Sequence, residues 1–348
     1  MHIRILGVAL LMQLTAVTIG PAAAQEAAGA LEVDAFFYNK NSDFGNMMLR
    51  DLKAVAQERN LKIDFAFGTG EFGQLEEYLN GKTEFKKPLI IHARRDDGAQ
   101  LAAHLASRHD IPLIFLTSDP GDKTLQSYDK VWFIGSLPSQ HGTFQARILI
   151  DYLKNHPEWD RNGNGELDFY LIKGDIGHID TISRTRYVQQ TLKRAKYKIH
   201  NREEGFANWN RQAATEIVHK MIAHYPLEGV DAIISNNDSM AMGVLDALHE
   251  QGYNSEDPKL FIPLVGVDGS PPAMEAIRKG QMLGTVIQDS ATQMQVCVRL
   301  LEFLQQNPQG SPDESVLGVE VRPDRRIYIP YALLFQGDGQ LQRVMEEQ

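Results

Sequence analysis

Two sets of residues in this chain have types and spacing that could do chemistry. The tighter is the run Asp160-Arg161-Asn162-Gly163-Asn164-Gly165-Glu166-Leu167-Asp168. Oxygen-bearing side chains stand at its first, third, fifth and ninth positions, a glycine at the sixth and an apolar residue at the eighth, as in an EF-hand-like calcium loop. Calcium is a hard cation taking about six to eight oxygens, and alternate side chains of a tight loop can surround it. An EF-hand adds a bidentate Glu at its twelfth position, which here is Leu171 in an apolar run. The last ligand must therefore come from elsewhere. A polar turn rich in Asn and Asp is the plainer alternative.

The looser set stands just after short apolar runs. Residues 39–44 follow the first run, 117–120 the fourth, and 174–184, 236–238, Asp268 and 288–289 follow later ones. They supply amides (Asn237, Gln288), carboxylates (Asp180, Asp268), Arg184 and His178, with Phe44 and Trp209 nearby. Flat aromatic faces with many hydrogen-bonding groups suit a polyhydroxylated small molecule, whose C–H faces pack on rings while its hydroxyls pair with amides and carboxylates. Each residue alone has an ordinary reading: Asp180 as a helix cap, Arg184 as its surface partner, Trp209 as core. Their shared placement at strand ends favours a binding site.

The elements that must hold these residues alternate. Runs at 33–38, 63–67, 88–91, 113–116 and 131–134 read as strands, with helices at 44–59 and 100–108 among them. A second series places strands at 169–172, 232–235, 263–267 and 285–287, with helices at 143–153, 181–192, 212–223, 240–251 and 273–278. A last helix, 292–305, carries Val296, Leu300, Leu301 and Leu304 on one stripe, with Cys297 beside it as a small core residue. Alternation of this kind predicts an α/β protein of two doubly wound parallel-sheet lobes, with ligands beyond the carboxyl ends of the strands. Gly68-Thr69-Gly70-Glu71-Phe72-Gly73 matches G-x-G-x-x-G, but the next strand ends in His92 rather than an acid, so these read as loop glycines and not a dinucleotide site.

Length and composition agree. The 348 residues suffice for about two domains, and 43% apolar with 23% charged residues is globular. Asp and Glu total 45 against 35 Lys and Arg, with no basic block, which argues against nucleic acid or anionic lipid as partner. The lone Cys297 excludes an intrachain disulfide framework and a cysteine-cluster zinc site. Arg4, an apolar stretch over 5–19 and Ala22-Ala23-Ala24 predict a signal peptide, 1–24, cleaved after Ala24, and hence a periplasmic protein. No Gly-x-Ser-x-Gly elbow or metal-ligand histidine pair is present, so the chain is not read as an enzyme.

The blocks SYDK, WDRNGNGELDF, LIKGDIGH, NNDSMAMG, GVDGSP and GTVIQD occur in order between Ser127 and Gln288. Through them the chain resembles the periplasmic glucose/galactose-binding proteins of bacterial ABC uptake and chemotaxis, in the type I periplasmic binding-protein superfamily. The resemblance implies a three-segment hinge, with lobes of 31–136 plus 288–328 and 137–287 plus 329–348. It implies a monomer working with an ABC permease; a sensor kinase or chemoreceptor, as for the autoinducer-2 receptor, is the alternative partner. It makes Phe44 and Trp209 the pair that sandwiches a sugar, and His178, Asp180, Arg184, Asn237 and Asp268 the groups that hold its hydroxyls. It also makes Asp231 the missing calcium ligand, alongside Asp160, Asn162, Asn164, Asp168 and the Glu166 carbonyl, with the ion in a structural role.

Three positions depart from that family's pattern: Ser42 stands for an Asp, and Thr117 and Gln288 each stand for an Asn. Ser42 and Thr117 fall on the side resembling the C4/C6 end of a hexose pocket. The loss of a carboxylate acceptor there argues for a ligand other than glucose or galactose.

Overall fold

The computed structural model describes residues 30–39, 43–93, 98–255, 257–337 and 340–346; the leader at 1–24 and Ser42 lie outside these described residues. The chain opens with β1 (Glu32–Phe37), α1 (Asp43–Glu58), β2 (Lys62–Phe67), α2 (Gln74–Gly81), β3 (Leu89–His92), α3 (Ala99–Arg108), β4 (Leu113–Leu116), α4 (Asp122–Gln126) and β5 (Val131–Gly135). It continues with α5 (Pro138–Asn155), β6 (Leu167–Lys173), α6 (Ile179–Arg194), β7 (Ile199–Phe206), α7 (Arg211–His224), β8 (Ala232–Ser235), α8 (Asp238–Glu250), β9 (Leu264–Asp268), α9 (Pro271–Arg278) and β10 (Gly284–Gln288). It closes with α10 (Ser290–Gln306), α11 (Glu314–Leu317), β11 (Arg326–Tyr328), β12 (Tyr331–Gly337) and β13 (Gln340–Glu346).

These strands form two sheets, in the orders β11-β5-β4-β3-β1-β2 and β13-β12-β10-β9-β8-β6-β7. The first is parallel throughout; in the second, β12 and β13 run antiparallel to their neighbours. The fold is thus two parallel-sheet α/β layers systems, as the alternation predicts. Along the first strand Val33, Ala35 and Phe37 pack to one face and Phe36 and Tyr38 to the other, the two-residue period of extended chain. In β6 the same alternation sends Tyr170 and Ile172 one way and Phe169 and Leu171 the other. Burial on both faces is why these strands read as continuous apolar runs.

Some elements differ from the sequence reading. Helix α5 begins at Pro138, whose fixed φ suits a first turn, rather than at 143. The glycines at 68–73 do lead into a helix, α2, with Gly73 at φ 88 just before it. Strand β7 was not anticipated: it is an edge strand, half exposed and polar, with no apolar run to mark it. Cys297 lies fully buried in the core of the first sheet, where burial pushes its thiol up to about 12.

The order of strands reverses between β1 and β3 in one sheet and between β6 and β8 in the other. Crevices open beyond the carboxyl ends of strands at such points.

A cleft between the two sheets

Strand ends from both sheets line one cleft. Tyr38, Phe44, His92, Thr117 and Ser118 come from the first, and His178, Asp180, Arg184, Trp209, Asn237, Asp268 and Gln288 from the second. Every described residue of the sequence-derived ligand set lies here. Tyr38, His92 and Ser118 were not among them, although each stands at a strand end, the signal that located the others.

Arg184 organises the second wall. His178 caps α6 by accepting the Asp180 amide at 3.2 Å, so Asp180 and Arg184 fall one turn apart on the same face. The buried guanidinium donates through Nη2 to Asp180 Oδ2 at 3.2 Å, through Nη1 to the Asn236 carbonyl at 2.6 Å, and through Nε to His141 Nδ1 at 3.2 Å. Burial, then the charge of Arg184, holds the His141 imidazole well below its ordinary pKa, so its neutral Nδ1 can accept.

Asn237 caps α8, its side-chain oxygen accepting the Met240 amide at 3.0 Å. Gln288 donates to Asp268 Oδ1 at 2.8 Å. Burial pushes the Asp268 carboxyl up to about 7; Arg184 and Gln288 oppose the rise, and Asp180 and Asp43 add to it. Trp209 lies against Gly174, where a side chain would collide with the indole. The Arg184 guanidinium stands 5.6 Å from the indole centroid, and the His178 ring meets it edge-on at 5.3 Å.

Among the described residues that line the cleft, the first wall carries less charge than the second. Phe44 enters from the first turn of α1. His92 ends β3 and meets Tyr38 edge-on at 5.1 Å. Burial, helped by the nearby His178, takes His92 down to about 3, so the ring is neutral at ordinary pH.

Two features mark this cleft as a site rather than core. Thr117, Trp209 and Asp268 adopt positive φ values of 69°, 61° and 125°, a region costing a side-chain-bearing residue about 1–3 kcal/mol. In addition, the buried atoms Asp180 Oδ1, Trp209 Nε1 and His92 Nδ1 have no hydrogen-bond partner among the described residues. Each such atom costs about 1–3 kcal/mol until something pairs with it. The three are an acceptor, a donor, and a ring nitrogen that can be either.

This geometry has known counterparts. Residues 36–308 match the periplasmic binding protein domain family. The chain belongs to that family. It is 31% identical over 245 residues to the D-galactose/methyl-galactoside binding periplasmic protein MglB of Haemophilus influenzae, covering 70% of this chain and 71% of that protein. A putative rhizopine-binding protein of Rhizobium meliloti is 26% identical over 251 residues, covering 71% and 70%. Among solved structures, an ABC transporter periplasmic solute binding protein from Actinobacillus succinogenes with bound D-allose superposes with a TM-score of 0.69 at 18% identity, covering 87% of this chain and 96% of that one. At that identity the likeness concerns the fold.

The calcium-loop residues of this periplasmic binding protein lie at the opposite end of β6 from the cleft. Asp160 accepts the amides of Asn164 at 3.1 Å and Gly165 at 2.8 Å. Asp168 is fully buried; Asn162, Asn164 and Arg202 all donate to its carboxylate. Burial raises the Asp168 pKa, but those three partners outweigh it and the net shift is downward. Both Asp231 oxygens accept backbone amides, from Arg161 at 2.9 Å and Asp168 at 2.7 Å.

The polar side chains of this loop are thus bonded to one another and to the backbone. The Asn162 and Asn164 amide nitrogens, not their oxygens, face Asp168. The Glu166, Asp168 and His200 donor atoms do gather within 4.8 Å, but Asp160 and Asp231 stand outside that group.

Proposed function

We propose that this protein captures one sugar or sugar-like small molecule in the cleft and presents it to an ABC importer of the bacterial envelope. The carrying observation is the set of unpaired buried polar atoms beside aromatic rings, contributed by both sheets to a single cleft. A polyhydroxylated ligand supplies what that set lacks: hydroxyl donors for Asp180, acceptors for the Trp209 indole, either for His92, and C–H faces for Phe44 and Trp209. Because the two walls belong to different lobes, only the closed arrangement pairs all of these groups, and the ligand favours closure by that difference. The role is binding and not turnover, in keeping with the binding-protein relatives, and the place of work is the periplasm.

The first wall, aromatic and uncharged among the described residues that line the cleft, supports a ligand other than glucose or galactose. Melting the mature protein with D-galactose, D-glucose, D-allose, D-ribose, L-arabinose, myo-inositol and xylitol tests both statements. A bound compound at about 100 times its dissociation constant should stabilise the fold by roughly 2.7 kcal/mol. If none moves the melting temperature, the capture reading fails; if galactose or glucose moves it most, the reading of the rebuilt wall fails.

A further inference from the structure

We propose that Arg202 takes the place of the calcium ion in the 160–168 loop, so that the turn is held by the chain's own cation and needs no metal. The guanidinium grips Asp168 with two bonds, Nε to Oδ1 at 2.7 Å and Nη2 to Oδ2 at 2.9 Å. A paired fork of this kind is the strongest geometry available to a carboxylate without a metal. The guanidinium also lies 5.0 Å from the centroid of the Tyr225 ring, whose hydroxyl reaches Asp168 Oδ2 at 3.3 Å.

The rest of the loop has closed around that pair. Asn162 and Asn164 donate to Asp168 Oδ2 at 2.7 and 2.8 Å, while their oxygens accept the Asn164 amide at 3.0 Å and the Glu166 amide at 2.7 Å. With no metal between them, turning either side-chain amide over would set oxygen against the Asp168 carboxylate, and in any case it would abandon a backbone N–H. Asp231, the acid that would complete a calcium shell, accepts one backbone amide on each oxygen, which ties both to the chain. The loop therefore holds a buried anion paired with a cation, and the Asn162 and Asn164 nitrogens, not their oxygens, turn toward that anion.

The sheet explains how Arg202 arrives. Asp168 pairs with His200 and Phe169 with Asn201, but Tyr170 pairs with Glu203, so the ladder skips Arg202. An unpaired residue of this bulge type bends its strand and re-aims its side chain, here onto Asp168. A cation fixed covalently to the neighbouring strand is present at every metal concentration, and the lobe's stability then has no reason to follow calcium.

Melting of the full mature protein with added calcium and with EDTA is the first test, and the midpoint should agree within about 1 °C between the two. Stoichiometric calcium in protein purified without chelator, or a rise of several degrees with calcium, would overturn the proposal. Arg202→Met should lower the midpoint by at least about 4 °C, and an unchanged midpoint would equally overturn it. If that variant does not fold, Arg202→Lys, which keeps the charge and loses the fork, should melt between failure and the parent value. A Lys variant as stable as the parent would show that the fork holds nothing.

Discussion

The cleft and the 160–168 loop are both polar, both rich in Asp and Asn, and both built at the ends of β6, yet their hydrogen-bond inventories are opposite. In the cleft, buried atoms of Asp180, Trp209 and His92 lack partners among the described residues, and Thr117, Trp209 and Asp268 hold costly backbone conformations. In the loop, Asp160, Asn162, Asn164, Asp168 and Asp231 each find donors or acceptors within the chain. An unpaired, strained polar site is completed by something from outside; a paired one is complete already. Residue types alone do not make this distinction, because Asn and Asp serve both purposes.

The largest effect that separates the two regions is expected at Asp180. Asp180→Ala should weaken ligand binding by about 10- to 100-fold, roughly 1.4–2.8 kcal/mol, and Trp209→Ala by about tenfold. Calorimetry with whichever panel compound binds decides this, and two unchanged affinities would remove both residues from the ligand. Gly174→Ala comes next: the new methyl displaces the indole without deleting it, so affinity should fall several-fold while the far-ultraviolet spectrum is kept. Affinity equal to the parent's would show that the indole position is unimportant.

In the loop the comparison reverses. Asn162→Ala removes a donor to buried Asp168, costing about 1 kcal/mol and lowering the melting midpoint by roughly 2–4 °C. Ligand affinity should stay within twofold, because β6 separates loop from cleft by about 20 Å. A large affinity loss would merge the two regions into one site.

The smallest effect is a pH slope. Asp268 has its pKa raised from the ordinary 3.8 to about 7, so the folded, ligand-free protein holds a proton there that the unfolded chain has already released. Its contribution to stability falls as pH rises from about 4 to 7 and is level above that. Melting of the parent should therefore decline relative to Asp268→Asn across that window. A constant difference between the two curves would show that Asp268 is ionised in the fold.

Much of the cleft was legible because its strands are. Unbroken runs such as Leu113–Leu116 and Ala232–Ser235 advertise burial on both faces, and their carboxyl ends point at the site. His92 reads in the sequence only as the end of a strand, because a histidine there is ordinary until its neighbours are known. Ser42 lies outside the described residues, so its place in the first wall stays an expectation from the resemblance. The loop was read from spacing, and spacing is shared by a metal site and by a turn of mutually bonded Asn and Asp. What tells them apart is Arg202, distant in sequence on a strand too polar to recognise and brought to Asp168 by a skipped pairing. Cross-strand register of that kind is a property of the assembled sheet.

The two strands that flank the last crossing have a consequence for the order in which the molecule can form. Strand β11 completes one sheet by pairing with β5, and β12, almost wholly buried, extends the other by pairing with β10 and is itself covered by the edge strand β13. Both partners are far earlier in the chain than the residues that cover them, Arg326–Tyr328 and Tyr331–Gly337. Synthesis runs from the amino end, so β5 and β10 keep open edges until this late segment emerges, and the two sheets are sealed almost together. A chain stopped short of Arg326 would expose the buried strands β5 and β10 as sheet edges in place of β11 and β13, and its expected fate is edge-to-edge association.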